Sequence, residues 1–271
     1  MMKRQLWMVL AVWMIAACTP QKPATATDSS EIKTDSVGCV INRQGIKVVL
    51  SADYPAGGEA LQQSVAAFIW QQMDLDGDSL SAYTSSDGQA FIRRLAEAKY
   101  TDLKSMLDGP EDASAQQGDD AEAATTYTAG FKRVLDTGDY ITLQGRWDSY
   151  VANTPHPDAG VCGITLRKRD GKPLGLSDIL KNTDGKAFRQ QLKEGIKKWL
   201  SDITETTVTT DEKMKELLGD DNDPDNMPLP EAAPFLVKEG IALPYGGYEL
   251  VPHEPALIVI PFSADYAVIE P

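Results

Sequence analysis

The apolar residues of this chain change their period several times, and that change limits the folds open to it. Residues 39–53 contain the run Ile46-Lys47-Val48-Val49-Leu50, which is alternating and β-branched and reads as a strand. Pro55-Ala56-Gly57-Gly58 breaks it. Over 59–73 the spacing becomes helical, with Leu61, Val65, Phe68, Ile69 and Met73 on one face. A second helix is expected over 88–107, where Phe91, Ile92, Leu95 and Leu103 share a side. The runs 127–135 and 140–150 alternate around Asp136-Thr137-Gly138-Asp139, which is a hairpin signal. A strand follows over 161–169, then the turn Asp170-Gly171-Lys172 and a short helix over 176–180 with Ser177 as its expected cap. Residues 185–200 place Phe188, Leu192, Ile196 and Leu200 in helical register beside Trp199, and 211–218 is another helical piece. The tail holds three strand-like runs, 234–237, 240–244 and 256–262. Segments 74–87, 108–124 and 219–230 are polar or acidic and read as loops. Strands and helices are grouped rather than strictly alternating. The expectation is therefore α+β, with antiparallel sheets, packed helices and two subdomains over 39–150 and 151–271.

The first residues belong to no fold. Lys3 and Arg4 precede an apolar run from Leu6 to Ala17. About 12 residues cannot span a hydrocarbon core as a helix, but they suit the core of an export signal. The run ends in Ile15-Ala16-Ala17-Cys18, which resembles the bacterial lipobox. Small residues there admit a signal peptidase, and the thiol accepts a diacylglyceryl group. Residues 1–17 are thus expected as a signal peptide and Cys18 as the lipidation site. Residues 18–38, rich in Thr, Ser, Ala and Pro at their start, are expected as a flexible tether. Further acyl chains would hold the anchor, since each buried CH₂ contributes ~0.8 kcal/mol. The folded body would lie outside the cytoplasm, tethered to the cell membrane or the outer membrane.

Charge narrows the partners. The 271 residues carry a formal net charge of −14. Losing the signal removes two of the 26 basic residues, Lys3 and Arg4, leaving 24 against 40 acidic ones, a charge of −16. Such a body is poorly suited to nucleic acid, whose phosphates need Lys and Arg. It would attract a basic partner and speed its encounter. With Cys18 lipidated, Cys39 and Cys162 remain, an even pair in an oxidising compartment, and a disulfide between them is expected. It would close a loop of more than a hundred residues and contribute about 4.7 kcal/mol in the chain-entropy picture. No redox or zinc spacing surrounds either cysteine.

Catalytic signatures are scarce. The nucleophile elbow, the zinc-protease helix, the P-loop and the dinucleotide fingerprint are all missing from the sequence. Asp74-Leu75-Asp76-Gly77-Asp78 starts like a calcium loop, but the sixth and twelfth places hold Ser79 and Ser85 where Gly and Glu are needed. Asp220 to Asp225 is a better solvated loop than a cation site. No catalytic residue, cofactor or metal is expected. Only two histidines exist, His156 between Pro155 and Pro157, and His253. Tyr245, Tyr248 and His253 form a polar-aromatic cluster in sequence, and with His156 they are the candidate ligand contacts.

The order of motifs in the second half resembles a known module. Asp139-Tyr140-Ile141-Thr142-Leu143 leads to Trp147-Asp148-Ser149-Tyr150, Pro155-His156-Pro157 and Leu174-Gly175-Leu176-Ser177-Asp178-Ile179-Leu180. Near the end come Gly240-Ile241-Ala242-Leu243, Tyr248-Glu249 and Ile260-Pro261-Phe262-Ser263. This order is similar to the extracytoplasmic module shared by the anti-sigma factor RsiV and the peptidoglycan deacetylase PdaC, preceded here by a stretch resembling the smaller domain that accompanies it. The family's Gly-Gly-Ala before the histidine is replaced by Asn153-Thr154-Pro155. The resemblance implies a non-catalytic binding or sensing module, for a basic protein such as lysozyme or for an envelope glycan. Two other readings stay open: a hydrolase of peptidoglycan or another envelope polysaccharide using carboxylates and His156, and a purely structural lipoprotein.

Overall fold

The computed structural model describes residues 32–73, 75, 86–107, 125–152, 154–219 and 223–269. Cys18, the expected signal, most of the Asp74 run and half of the Asp220 run lie outside them.

The first described elements form a hairpin. β1 (Thr34–Arg43) and β2 (Ile46–Pro55) pair antiparallel around Gln44-Gly45. Both turn residues have positive φ, 53° and 72°, as the tight hairpin turns of the primed type require. The single strand expected over 39–53 is thus two strands, and β1 begins at Thr34, inside the stretch read as tether. On β2 the alternation is complete: Ile46, Val48, Leu50, Ala52 and Tyr54 are buried while Lys47 and Ser51 face water.

Two helices cover that apolar face. α1 (Glu59–Gln72) contributes Leu61, Val65, Phe68 and Ile69, and α2 (Gly88–Leu107) contributes Phe91, Ile92, Leu95 and Leu103. β3 (Thr125–Asp136) then returns parallel to β2. This pair departs from the antiparallel expectation because two helices intervene, and a crossover of that length brings the chain back in the same direction. β4 (Tyr140–Tyr150) and β5 (Asp158–Arg167) complete the sheet antiparallel, in the order β1-β2-β3-β4-β5. The sheet therefore carries on past Val151.

The second half builds its own core. The short α3 (Leu176–Ile179) is capped through Asp178, whose carboxylate accepts the Gly175 N–H at 2.9 Å, rather than through Ser177. α4 (Lys186–Thr204) and α5 (Asp211–Leu218) pack with a three-stranded antiparallel sheet of β6 (Phe235–Val237), β7 (Gly240–Tyr245) and β8 (Ala256–Ile260). Gly195 lets α4 press on β8, since a Cβ there would lie 2.5 Å from Ile258 Cγ2. One core runs to Leu166 and the other starts at Leu174.

The two sheets are tied at β5. Gly163 leaves room for the Phe235 ring, which a Cβ would strike at 2.4 Å. The Leu236 N–H donates to Thr165 Oγ1 at 2.8 Å, and Thr165 also shares a hydroxyl hydrogen bond with Thr142 at 2.9 Å. Both threonines are fully buried, so these bonds satisfy groups that would otherwise be costly. The result is an α+β molecule with two packed subdomains. Among the described residues no helix is long and apolar enough to cross a membrane.

Candidate functional site

Two loops meet where the sheets join. The first links β4 to β5. Its start is pinned by the Ala152 N–H donating to Thr125 Oγ1 at 3.0 Å. Thr154 then folds back, with its N–H and hydroxyl both on the Val151 carbonyl, at 3.0 and 2.7 Å. The Thr154 hydroxyl also reaches the His156 carbonyl at 3.3 Å. Flanking prolines restrict the backbone on either side of His156. Its ring is thereby held out into solvent.

The second loop links β7 to β8. The Glu249 carboxylate staples it, accepting from the Gly246 N–H and, at 2.7 Å, from the Glu231 N–H. Further on, Glu254 N–H bonds to the Val251 carbonyl at 3.2 Å, closing a turn over Pro252-His253. His253 has φ 64°, the positive value a type II turn needs after proline. This loop lies on the start of β5, for a Cβ on Gly247 would sit 3.7 Å from the Ala159 carbonyl oxygen.

Together the loops assemble a ring cluster. His156 and His253 have ring centres 4.8 Å apart at 41°. Tyr248 meets His253 edge-on at 4.9 Å, and its hydroxyl lies 2.9 Å from His253 Nδ1. Tyr248 is 70% exposed, unusual for a large aromatic side chain with no burial to gain. Three of the four candidate contacts thus come together. Tyr245 does not join them. It is buried in β7, its hydroxyl donates to the Pro228 carbonyl at 2.7 Å, and burial, with the Glu249 charge second, pushes that hydroxyl far above the ordinary tyrosine range. The contact between His156 and His253 escapes sequence reading, because it depends on how two distant strand pairs are juxtaposed.

The expected Cys39–Cys162 disulfide is not formed; both thiols are free. Cys39 stands on β1 and Cys162 on β5, the opposite edges of the five-stranded sheet. Four inter-strand spacings of ~4.8 Å put their backbones about 19 Å apart, against the ~7 Å limit for a bridge. Burial raises the Cys162 thiol to about 12, which leaves it inert.

Several carboxylates elsewhere are already engaged. Asp211 receives Lys193 at 2.9 Å and Lys197 at 2.7 Å, and Lys193 also takes Asp225 at 2.5 Å. This network ties α4 to α5; the Asp225 hydrogen bond, then that of Asp211, raises the Lys193 ammonium, and the Lys197 hydrogen bond, then that of Lys193, lowers the Asp211 carboxyl. An open cleft of about 560 Å³ at the start of α4 is lined by Asn182, Asp184, Lys186 and Asp265. Asp184 there is paired with Arg189 at 2.7 Å. Among the described residues no three His, Cys, Asp or Glu side chains converge as a metal cage.

The architecture defines a class: a helix-backed mixed sheet, joined at one edge strand to a smaller antiparallel sheet with its own helices, displaying loops at the junction. The fold is that of solved DUF3298 family proteins, the domain family of the RsiV and PdaC type. One neighbour, from Bacteroides fragilis, is 18% identical with a TM-score of 0.58, over 87% of this chain and 92% of its own. Another, from Pseudomonas aeruginosa, is 15% identical with a TM-score of 0.53, over 86% and 92%. No sequence family model matches the chain, and no curated protein matches it.

Proposed function

We propose that this protein is an exported lipoprotein, anchored through Cys18, whose folded body is a non-catalytic binding or sensing module of the cell envelope. The single observation that carries the reading is the exposed His156–Tyr248–His253 cluster, displayed by two loops on the DUF3298 fold. Aromatic rings presented at low entropic cost are what a protein-binding surface uses for its anchors. The charge supports a basic protein, as lysozyme is, because 40 acidic residues against 26 basic ones steer a cation toward the surface. The engaged carboxylates of Asp184 and Asp211 suit binding better than hydrolysis.

The test is a pull-down of the full-length protein in detergent against envelope extracts and purified lysozyme. Binding of lysozyme is expected, weakening as salt screens the charges and falling at least tenfold in Tyr248→Ala. Retention of isolated peptidoglycan instead would move the ligand to the envelope glycan. No partner above a charge-matched basic control, with cluster variants behaving as wild type, would sink the proposal. For the anchor, Cys18→Ala should shift the protein from the membrane fraction to the soluble one.

A further inference from the structure

The sequence supplies two histidines, and the fold sets one against the other from separate loops. Their ring centres are 4.8 Å apart. Two imidazoles sharing one tetrahedral metal ion through bonds of ~2.0–2.1 Å hold their centres about 5 Å apart, a separation close to that of this pair. Tyr248 adds a second, independent element. Its hydroxyl sits on His253 Nδ1 at 2.9 Å. With Nδ1–H donating to that oxygen, the lone pair resides on Nε2, the arrangement that orients and fixes the tautomer of metal-bound histidine. Neither ring is buried, so water can fill the remaining coordination positions.

The geometry points to a binding site for one borderline transition-metal cation of the Cu²⁺, Zn²⁺ or Ni²⁺ kind, ligated by His156 and His253 with Tyr248 as the positioning residue. Imidazole nitrogens select these ions over Mg²⁺ and Ca²⁺, which want oxygen, and Cu²⁺ binds tightest in the usual order. With only two protein ligands the site is open, and a partner's side chain or a substrate oxygen can complete it. The inference goes beyond the partner-binding reading and does not need it: metal is titrated with no partner present, so either can fail alone.

The test is equilibrium dialysis of the full-length protein against CuCl₂, ZnCl₂ and MgCl₂. One equivalent of Cu²⁺ is expected, Zn²⁺ more weakly, and no Mg²⁺. His156→Ala and His253→Ala should each lose at least tenfold in affinity; both residues are exposed, and circular dichroism confirms that the variants fold. Tyr248→Phe should weaken binding about tenfold while keeping the stoichiometry. No Cu²⁺ taken up by wild type at a hundredfold excess, or uptake unchanged in both histidine variants, overturns the proposal.

Discussion

Tyr245 and Tyr248 lie on one short stretch of chain and meet opposite environments. The first is buried with its hydroxyl on a backbone carbonyl, and the second points into solvent beside His253. Tyr245→Phe should therefore lower stability by about 1 kcal/mol, more if the Pro228 carbonyl is left dry, and leave ligand binding intact. Tyr248→Ala should do the reverse. Chemical denaturation and the binding assay, run on both variants, separate the roles. A buried thiol makes a similar residue-level case. Cys162 has its thiol raised to about 12, so a thiol reagent should leave it untouched in the native protein and modify it on unfolding. Adding a reductant should not move the melting temperature, since no bond joins Cys162 to Cys39.

At the scale of elements, legibility follows from how local the signal is. α1, α2 and α5 lie where the 3.6-residue spacing of their apolar residues puts them, because each buries one stripe against a sheet or a neighbouring helix. β1 was hidden. It is an edge strand whose residues are mostly exposed or half-exposed, so Thr34 to Gly38 carry no alternation to read and look like tether. The turn after β5 is legible as Asp170-Gly171-Lys172, and its electrostatics yield a prediction. Asp170 accepts from Arg167 Nε and Nη2 at 3.0 and 2.7 Å and from the Lys172 N–H at 3.2 Å. These bonds, Arg167 foremost, lower its carboxyl to about 2. A depressed carboxylate contributes stability that is present above the unfolded value near ~3.9 and lost as pH falls through the folded one. The window is therefore about 4 down to about 2. Asp170→Asn should flatten the stability curve within that window and leave its shape near neutrality unchanged, as read from denaturant midpoints across pH. Wild type and variant falling in parallel below pH 4 would show that the pair contributes nothing.

At the scale of the molecule, what sequence could not supply is pairing between distant segments. The hairpins are local, but the parallel β2–β3 ladder, the junction of β5 with β6 and the meeting of His156 with His253 each depend on closing long loops, which no periodicity records. The junction also decides how the protein unfolds. Two cores part between Leu166 and Leu174, and Phe235 on Gly163, with the Leu236 N–H on Thr165, is what couples them. Wild type should melt in one transition. Trp70 and Trp147 report on the first core and Trp199 on the second, so variants keeping one reporter set or the other should give the same midpoint. Phe235→Ala empties the contact at a cost of about 3–5 kcal/mol. Because that side chain is shared between sheets rather than owned by one, the loss should appear as a split, with the Trp199 signal melting apart from the Trp147 signal. A variant that loses the full stability yet keeps coincident transitions would show that Phe235 adds cohesion without coupling, and that the buried Thr142–Thr165 hydroxyls hold the sheets together.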